Sequence, residues 1–405
     1  MMRKIILTIF IFGCANKSTE EFNKSDSFSE KTDIVTEANN KFCLKLYSEL
    51  KNKEKGNIFF SPYSISMALA MVYEGARGKT AKEIKSVFYF PENDRTRRKG
   101  FLELYKRLNK KDAKYEFRTA NALWVQRKYK LLKNYTDVIK TYYGGEVMNV
   151  DFVNKTEKAR KTINKWVENK TNGKIKDLLL QGSLTPFSRL VITNAVYFKG
   201  IWVKQFNKKK TFEEDFIVNE EKIVKVPMMR IIGKDAKFNY AETEDLQILE
   251  LLYEGEELSM LILLPRTYDL KPLENLLTPE NLNKWRRKLK KQRVNVFIPK
   301  FTLNTKYILN DILKKMGIKV SFSSVADFSG ITGAKDLFIS SVIHQAFVDV
   351  NEEGTEAAAA TGVTMQVTSV PRYKIFRANH PFIFIIQERN TGNILFMGRV
   401  VDPSR

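Results

Sequence analysis

Glu352-Glu353-Gly354-Thr355-Glu356-Ala357-Ala358-Ala359-Ala360-Thr361, continued by Gly362-Val363-Thr364-Met365-Gln366-Val367-Thr368-Ser369, is the stretch on which the fold turns. Taken at every second position, Thr355, Ala357, Ala359, Thr361, Val363, Met365 and Val367 make a small-to-apolar face, and Gly362, Thr364, Gln366 and Thr368 a polar one. A period of two is that of a half-buried strand. Yet a run of alanines is a poor strand former. What it offers instead is a profile slim enough to slide between two strands that already exist. Gly354 reads as the pivot, because glycine reaches backbone angles closed to other residues. The segment is a loop written in the register of a strand that begins at Thr355.

Other stretches agree with this one when the chain is followed outward. Asn57-Ile58-Phe59-Phe60-Ser61-Pro62-Tyr63-Ser64-Ile65 reads as a strand running into a helix, and Ile163-Asn164-Lys165-Trp166-Val167, then Thr171-Asn172-Gly173-Lys174-Ile175, as a helix and its turn. Thr193-Asn194-Ala195-Val196-Tyr197-Phe198-Lys199-Gly200-Ile201-Trp202 reads as a central strand. His380-Pro381-Phe382-Ile383-Phe384-Ile385-Ile386 and Gly392-Asn393-Ile394-Leu395-Phe396-Met397-Gly398-Arg399-Val400 read as a terminal hairpin. In this order, with the alanine-rich run, they resemble the serpin family from about Asp33 to the C-terminus.

The resemblance implies an α+β fold: a large central mixed or antiparallel sheet plus smaller sheets, about eight or nine surrounding helices, and an exposed reactive-centre loop. It also implies a function, the inhibition of serine or cysteine endopeptidases. The protease would cleave the loop and be trapped as an acyl-enzyme while the loop enters the large sheet. Strand insertion of this kind is itself one of the standard examples of strand addition and stored strain. Residues Glu352 to Thr361 match the family's hinge, and spacing from the hinge places the cleaved bond between Thr368 and Ser369, with Met365, Val367 and Arg372 as alternatives. Ser61, Ser64, Asn194 and His344 match the shutter, a cluster behind the middle of the sheet, and Trp202 matches the breach, where a loop would first enter. A non-inhibitory binding or carrier protein of the same fold stays open as the alternative.

The chain has 405 residues, 43% of them hydrophobic, enough for one large core. No Pro/Gly/Ser-rich linker interrupts it after about residue 33, so residues 33–405 read as a single domain, monomeric. The start differs. Arg3 and Lys4 precede an apolar run from Ile5 to Phe12 and then Gly13-Cys14, which reads as a signal peptide over residues 1–14 ending in a lipobox, although Phe12 departs from the small residue usual there. Residues 15–32, rich in Ser, Asn, Lys and Glu, would then be a flexible tether, and the protein secreted or held at the cell surface by a lipid on Cys14. With Cys14 processed, only Cys43 remains, so no intrachain disulfide is expected. Cys43 falls among Ile34, Val35, Ala38, Phe42, Leu46 and Leu50, a helical stripe with Thr32 as its N-cap, and reads as a packing residue.

The net charge of +23 raises the question of a polyanionic partner. Two basic clusters stand out: Arg95, Arg97, Arg98 and Lys99, and Arg286, Arg287, Lys288, Lys290, Lys291 and Arg293 after Trp285. The second is expected on a helix, its charges spread around the circumference as a solvated face. A sulfated glycan or anionic surface is the partner it would fit, and no motif that reads nucleic acid accompanies it. Two histidines, His344 and His380, leave little for acid-base or metal chemistry. No nucleophile elbow, phosphate loop or metal-ligand spacing is present, and Glu213, Glu214 and Asp215 read as a solvated turn. An enzyme is not expected, nor a cofactor or metal.

Overall fold

The computed structural model describes residues 34–355 and 373–405. The expected signal and tether with Cys14, the hinge residues Glu356 to Thr361, and the Thr368–Ser369 bond lie outside the described residues.

Ten α-helices occur among the described residues: α1 (Ile34–Lys53), α2 (Pro62–Gly75), α3 (Gly78–Phe88), α4 (Asp94–Leu108), α5 (Lys133–Tyr143), α6 (Thr156–Lys170), α7 (Lys271–Leu276), α8 (Pro279–Lys288), α9 (Asn310–Met316) and α10 (Ser329–Thr332). The strands are β1 (Ile58–Phe60), β2 (Tyr115–Gln126), β3 (Glu146–Val150), β4 (Leu190–Ile201), β5 (Phe212–Asn219), β6 (Lys222–Ile231), β7 (Lys237–Glu242) and β8 (Leu246–Leu252). They continue with β9 (Leu258–Pro265), β10 (Lys290–Pro299), β11 (Phe301–Ile308), β12 (Ile339–Val350), β13 (Gly354–Thr355), β14 (Lys374–Arg377), β15 (Phe382–Glu388) and β16 (Ile394–Val400).

Local chemistry explains where the important elements begin. The apolar stripe of α1 buries Val35, Ala38, Phe42, Cys43, Leu46 and Leu50, although Ile34, expected on that stripe, is exposed. At the start of α2, the Ser61 hydroxyl accepts from the Ser64 N–H and Pro62 fills the first helical position, where a missing N–H costs nothing. Nearly every residue of α2 is buried, which makes it the central helix of the molecule.

Six strands form the sheet that carries the hinge, in the order β11-β12-β13-β4-β2-β3. Below β13, β12 and β4 pair directly with each other, parallel, from Ile339↔Leu190 to Phe347↔Tyr197. The remaining ten strands, expected as smaller sheets, form one sheet: nine in the path β1-β16-β15-β9-β8-β7-β10-β6-β5, with β14 branching off β10. The joint is β10, whose residues Lys290 to Arg293 pair with β7 while Val294 to Pro299 pair with β14 and β6.

Even-numbered residues of β4, such as Ile192, Val196 and Phe198, face the main core with α2. Odd-numbered Val191 and Ala195 face a second, smaller core with Ala120, Trp124 and Ile343, closed from outside by Ile163 and Val167 of α6. Two expectations fail here. Glu213, Glu214 and Asp215 lie within β5 and not in a turn, because the alternation that places Phe216 and Val218 inward starts three residues earlier. Lys290, Lys291 and Arg293 begin β10 and are not helical, since α8 stops at Lys288.

Candidate functional site

The described start of the hinge, Gly354 and Thr355, lies within the sheet. Thr355 pairs antiparallel with Val350 of β12, and Gly354 and Thr355 pair antiparallel with Ile201 and Gly200 of β4. The first residue of the expected strand, Thr355, is therefore in place between β12 and β4. A Cβ on Gly354 would sit 2.0 Å from the Gly200 carbonyl oxygen, so glycine is required by close backbone approach. In this state φ of Gly354 is not in the left-handed region, so it is the close approach and not the local dihedral that calls for glycine here.

Contacts on every side pin this short strand. The Thr355 hydroxyl lies 2.9 Å from the Tyr253 hydroxyl. Tyr253 stacks on Trp202 with ring centroids 4.4 Å apart, and the Trp202 indole N–H donates to the Asn351 carbonyl at 3.1 Å. The backbone N–H groups of Trp202 and Phe206 donate to the carbonyls of Glu353 and Glu352. Both glutamates are buried and both meet lysine: Lys300 Nζ is 3.0 Å from Glu352 and Lys208 Nζ 2.5 Å from Glu353. Burial pushes the Glu352 carboxyl up, but its own backbone N–H, Lys300 and the Thr211 hydroxyl outweigh this and hold it below the ordinary value.

About midway down the β12–β4 seam, the four shutter candidates meet. His344 Nδ1 lies 2.5 Å from Asn194 Oδ1, and the Ser61 N–H donates to His344 Nε2 at 3.1 Å. Since Nε2 accepts, Nδ1 carries the proton, which makes the imidazole neutral and the donor to Asn194. Burial drives the His344 pKa down to about 3 against the opposing pull of Asn194. Asn194 Nδ2 donates to the Ser64 hydroxyl at 2.6 Å and to the Ser64 carbonyl at 2.9 Å. Ser61 Oγ donates to the Leu395 carbonyl at 2.6 Å.

A fifth member escaped the sequence reading. Asn121 of β2 accepts from Asn194 and from Ser64 Oγ. Its signal was an amide inside the otherwise apolar run Ala120 to Val125, and the β2–β4 register that sets Asn121 opposite Asn194 gives it meaning.

The basic clusters change most. Arg286 is buried, with Nε donating to Gln387 Oε1 at 2.8 Å and Nη2 to the Gly392 carbonyl at 3.1 Å, so it is removed from the expected glycan surface. Arg287 and Lys288 remain exposed on the last turn of α8, with Lys290 and Lys291 exposed on the next strand. In the first cluster Arg97 is buried against Glu74 and Asp94. Among the described residues no group of three His, Cys, Asp or Glu side chains could hold a metal ion.

Comparison with known proteins agrees with this arrangement. The family model described as "Serpin (serine protease inhibitor)" matches residues 37–403. An uncharacterized serpin-like protein of Thermococcus kodakarensis is 43% identical, the alignment covering 98% of this chain and 97% of the other. The leukocyte elastase inhibitor of Homo sapiens is 42% identical over 91% of this chain and 99% of its own. Among solved structures, human thyroxine-binding globulin superposes with a TM-score of 0.83 at 33% identity, covering 91% of this chain and 98% of that one. The chain belongs to the serpin family.

Proposed function

We propose that this protein inhibits serine endopeptidases as a suicide substrate, with the segment after Thr355 entering the six-stranded sheet once it is cleaved. The favoured bond is Thr368–Ser369, flanked by Val367 and Val370, which suits a protease with a small or shallow apolar pocket.

The observation that carries this reading is the register of β13. Thr355 stands opposite Gly200 and Val350, and each step along the chain descends one residue on both neighbours. Continued insertion would therefore set Ala357 between Phe198 and Val348, Ala359 between Val196 and Ala346, and Thr361 between Asn194 and His344. The alanines coincide with positions where the main core is already filled by Phe198, Val196 and Val348, so only a methyl group has room.

Thr361 coincides with the one polar position on this face. Insertion must separate Asn194 from His344, freeing one acceptor and one donor, and a single hydroxyl can both donate and accept. The composition of the segment thus fits the slot position by position. The leukocyte elastase inhibitor among the relatives supports an inhibitory reading, while thyroxine-binding globulin represents the carrier alternative.

The test is incubation with a panel of serine proteases, followed by denaturing electrophoresis and mass spectrometry of the released C-terminal peptide. A denaturant-stable complex with cleavage after Thr368 is expected. Cleavage by every protease with no covalent complex, and no gain in melting temperature of the nicked protein, would favour the carrier.

A further inference from the structure

Far from the hinge, the C-terminal end of α2 borders a recess of about 340 Å³, lined by Glu74, Arg77, Arg98, Leu132, Asn134, Tyr135, Val138, Ser329 and Gly330. That is within the size range of small-molecule sites, about 300–1,000 Å³. We infer that it is a binding site for a small organic carboxylate with an apolar body.

The charge balance is the first argument. Glu74, the one carboxylate in the lining, is already engaged: Arg97 Nη2 donates to it at 2.9 Å, Arg98 Nη2 at 2.7 Å and the Tyr143 hydroxyl at 2.6 Å. Hydrogen bonds from Arg98 and the Arg97 charge hold its carboxyl below the ordinary value in spite of burial, so it stays an anion and accepts no further cation. Arg77 is left over. Its Nη1 donates to the Glu74 and Ala76 carbonyls at 3.0 and 2.7 Å, capping the end of α2, and among the described residues no carboxylate pairs with it.

Shape is the second argument. A Cβ on Gly330 would fall 2.5 Å from Arg77 Nη2, so the glycine leaves room for the guanidinium to lie flat on the backbone. Arg77 is thus fixed at one end by two carbonyls, with Nε and Nη2 unspent, a pre-organised fork of the kind that takes a carboxylate bidentately. The exposed amide of Asn134 adds a further donor beside it. Leu132, Tyr135 and Val138 supply the apolar part of the lining, and Leu132 is 40% exposed. A bare inorganic anion would use the fork and leave the apolar lining wet. A carboxylate carried on a short hydrocarbon or ring uses both.

The experiment titrates the intact protein with hexanoate and with benzoate by calorimetry, with inorganic phosphate as the purely polar probe. Saturable one-to-one binding of a carboxylate is expected, with phosphate weaker. Arg77→Gln should weaken it about tenfold or more, the effect of losing a bidentate charge-assisted contact. Asn134→Trp, at an exposed position outside the core, should fill the mouth and abolish binding while leaving the melting temperature of the free protein unchanged. No saturation by either carboxylate, equal binding of phosphate, or binding indifferent to both substitutions would overturn the assignment. Protease inhibition is not the readout, so the outcome is independent of the proposed inhibitory function.

Discussion

Thr361→Val separates the inserted state from the uninserted one. The substitution keeps the shape of the side chain and improves strand propensity, so any loss is due to the hydroxyl alone. In the uninserted sheet the cluster of His344, Asn194, Ser61, Ser64 and Asn121 is complete without residue 361. Insertion of one strand moves β12 and β4 apart by about 4.8 Å and breaks the 2.5 Å contact between His344 and Asn194. Each group left buried without a partner costs about 1–3 kcal/mol, so the variant should destabilise the inserted form by about 2–6 kcal/mol and the uninserted form hardly at all. With a guanidinium slope of roughly 6 kcal/mol/M, the unfolding midpoint of the loop-nicked protein should fall by about 0.3–1 M. The assay compares midpoints of nicked and intact protein, variant against parent. Equal midpoints for the two nicked forms, or an equal fall in both states of the variant, would refute the register from which Thr361 was placed.

Gly354→Ala should act on the opposite state. Its Cβ meets backbone that cannot rotate away, so β13 must leave the sheet, and the intact protein should lose about 1–3 kcal/mol; an unaltered thermal melt would contradict this. A double-mutant cycle on Glu352→Gln and Lys300→Ala should give a coupling energy of roughly 1 kcal/mol in the intact protein, since only the lysine end of the pair is solvated; zero coupling would show that the pair anchors nothing. His344 is held near 3 in the folded state against about 6.5 when unfolded, so its contribution is full above pH 6.5 and is lost as pH falls toward 3. In that window the parent should lose stability by up to about 1.4 kcal/mol per pH unit more than His344→Asn, and parallel pH profiles would exclude a neutral buried imidazole.

The sequence and the structure agree where a pattern is local. The period of two after Gly354, the capped start of α2 at Ser61-Pro62 and the apolar stripe from Val35 to Leu50 all depend on neighbours a few residues apart, and each is legible in the chain. Disagreement begins where the partner is distant. Nothing near Gly354 announces that the Gly200 carbonyl will approach it, so this second reason for a glycine is not legible in the chain. Arg97 and Arg286 look like members of surface clusters until Glu74 and Gln387, far along the chain, are brought against them. The end of α8 was invisible for a related reason: the basic residues on either side of Leu289 carry no change of pattern to mark where helix becomes strand. Asn121 needed the cross-strand register before an isolated amide could be read as part of a cluster.

The second core beneath α6 has a mechanical implication. It straddles the very seam that would part, since Val191 and Ala195 belong to β4 and Ile343 to β12, and all three share one buried cluster with Ile163 and Val167 of the helix. If insertion parts the two strands as proposed, it must open this shared cluster, so α6 would act as a brake on the seam. Several of the gripping residues, Ala120, Ala122, Ala159 and Ala195, are the smallest apolar ones, which keeps the grip light. On the proposed mechanism, the speed at which the sheet yields would then be tuned on α6, none of whose residues belongs to the shutter cluster, without rewriting that cluster.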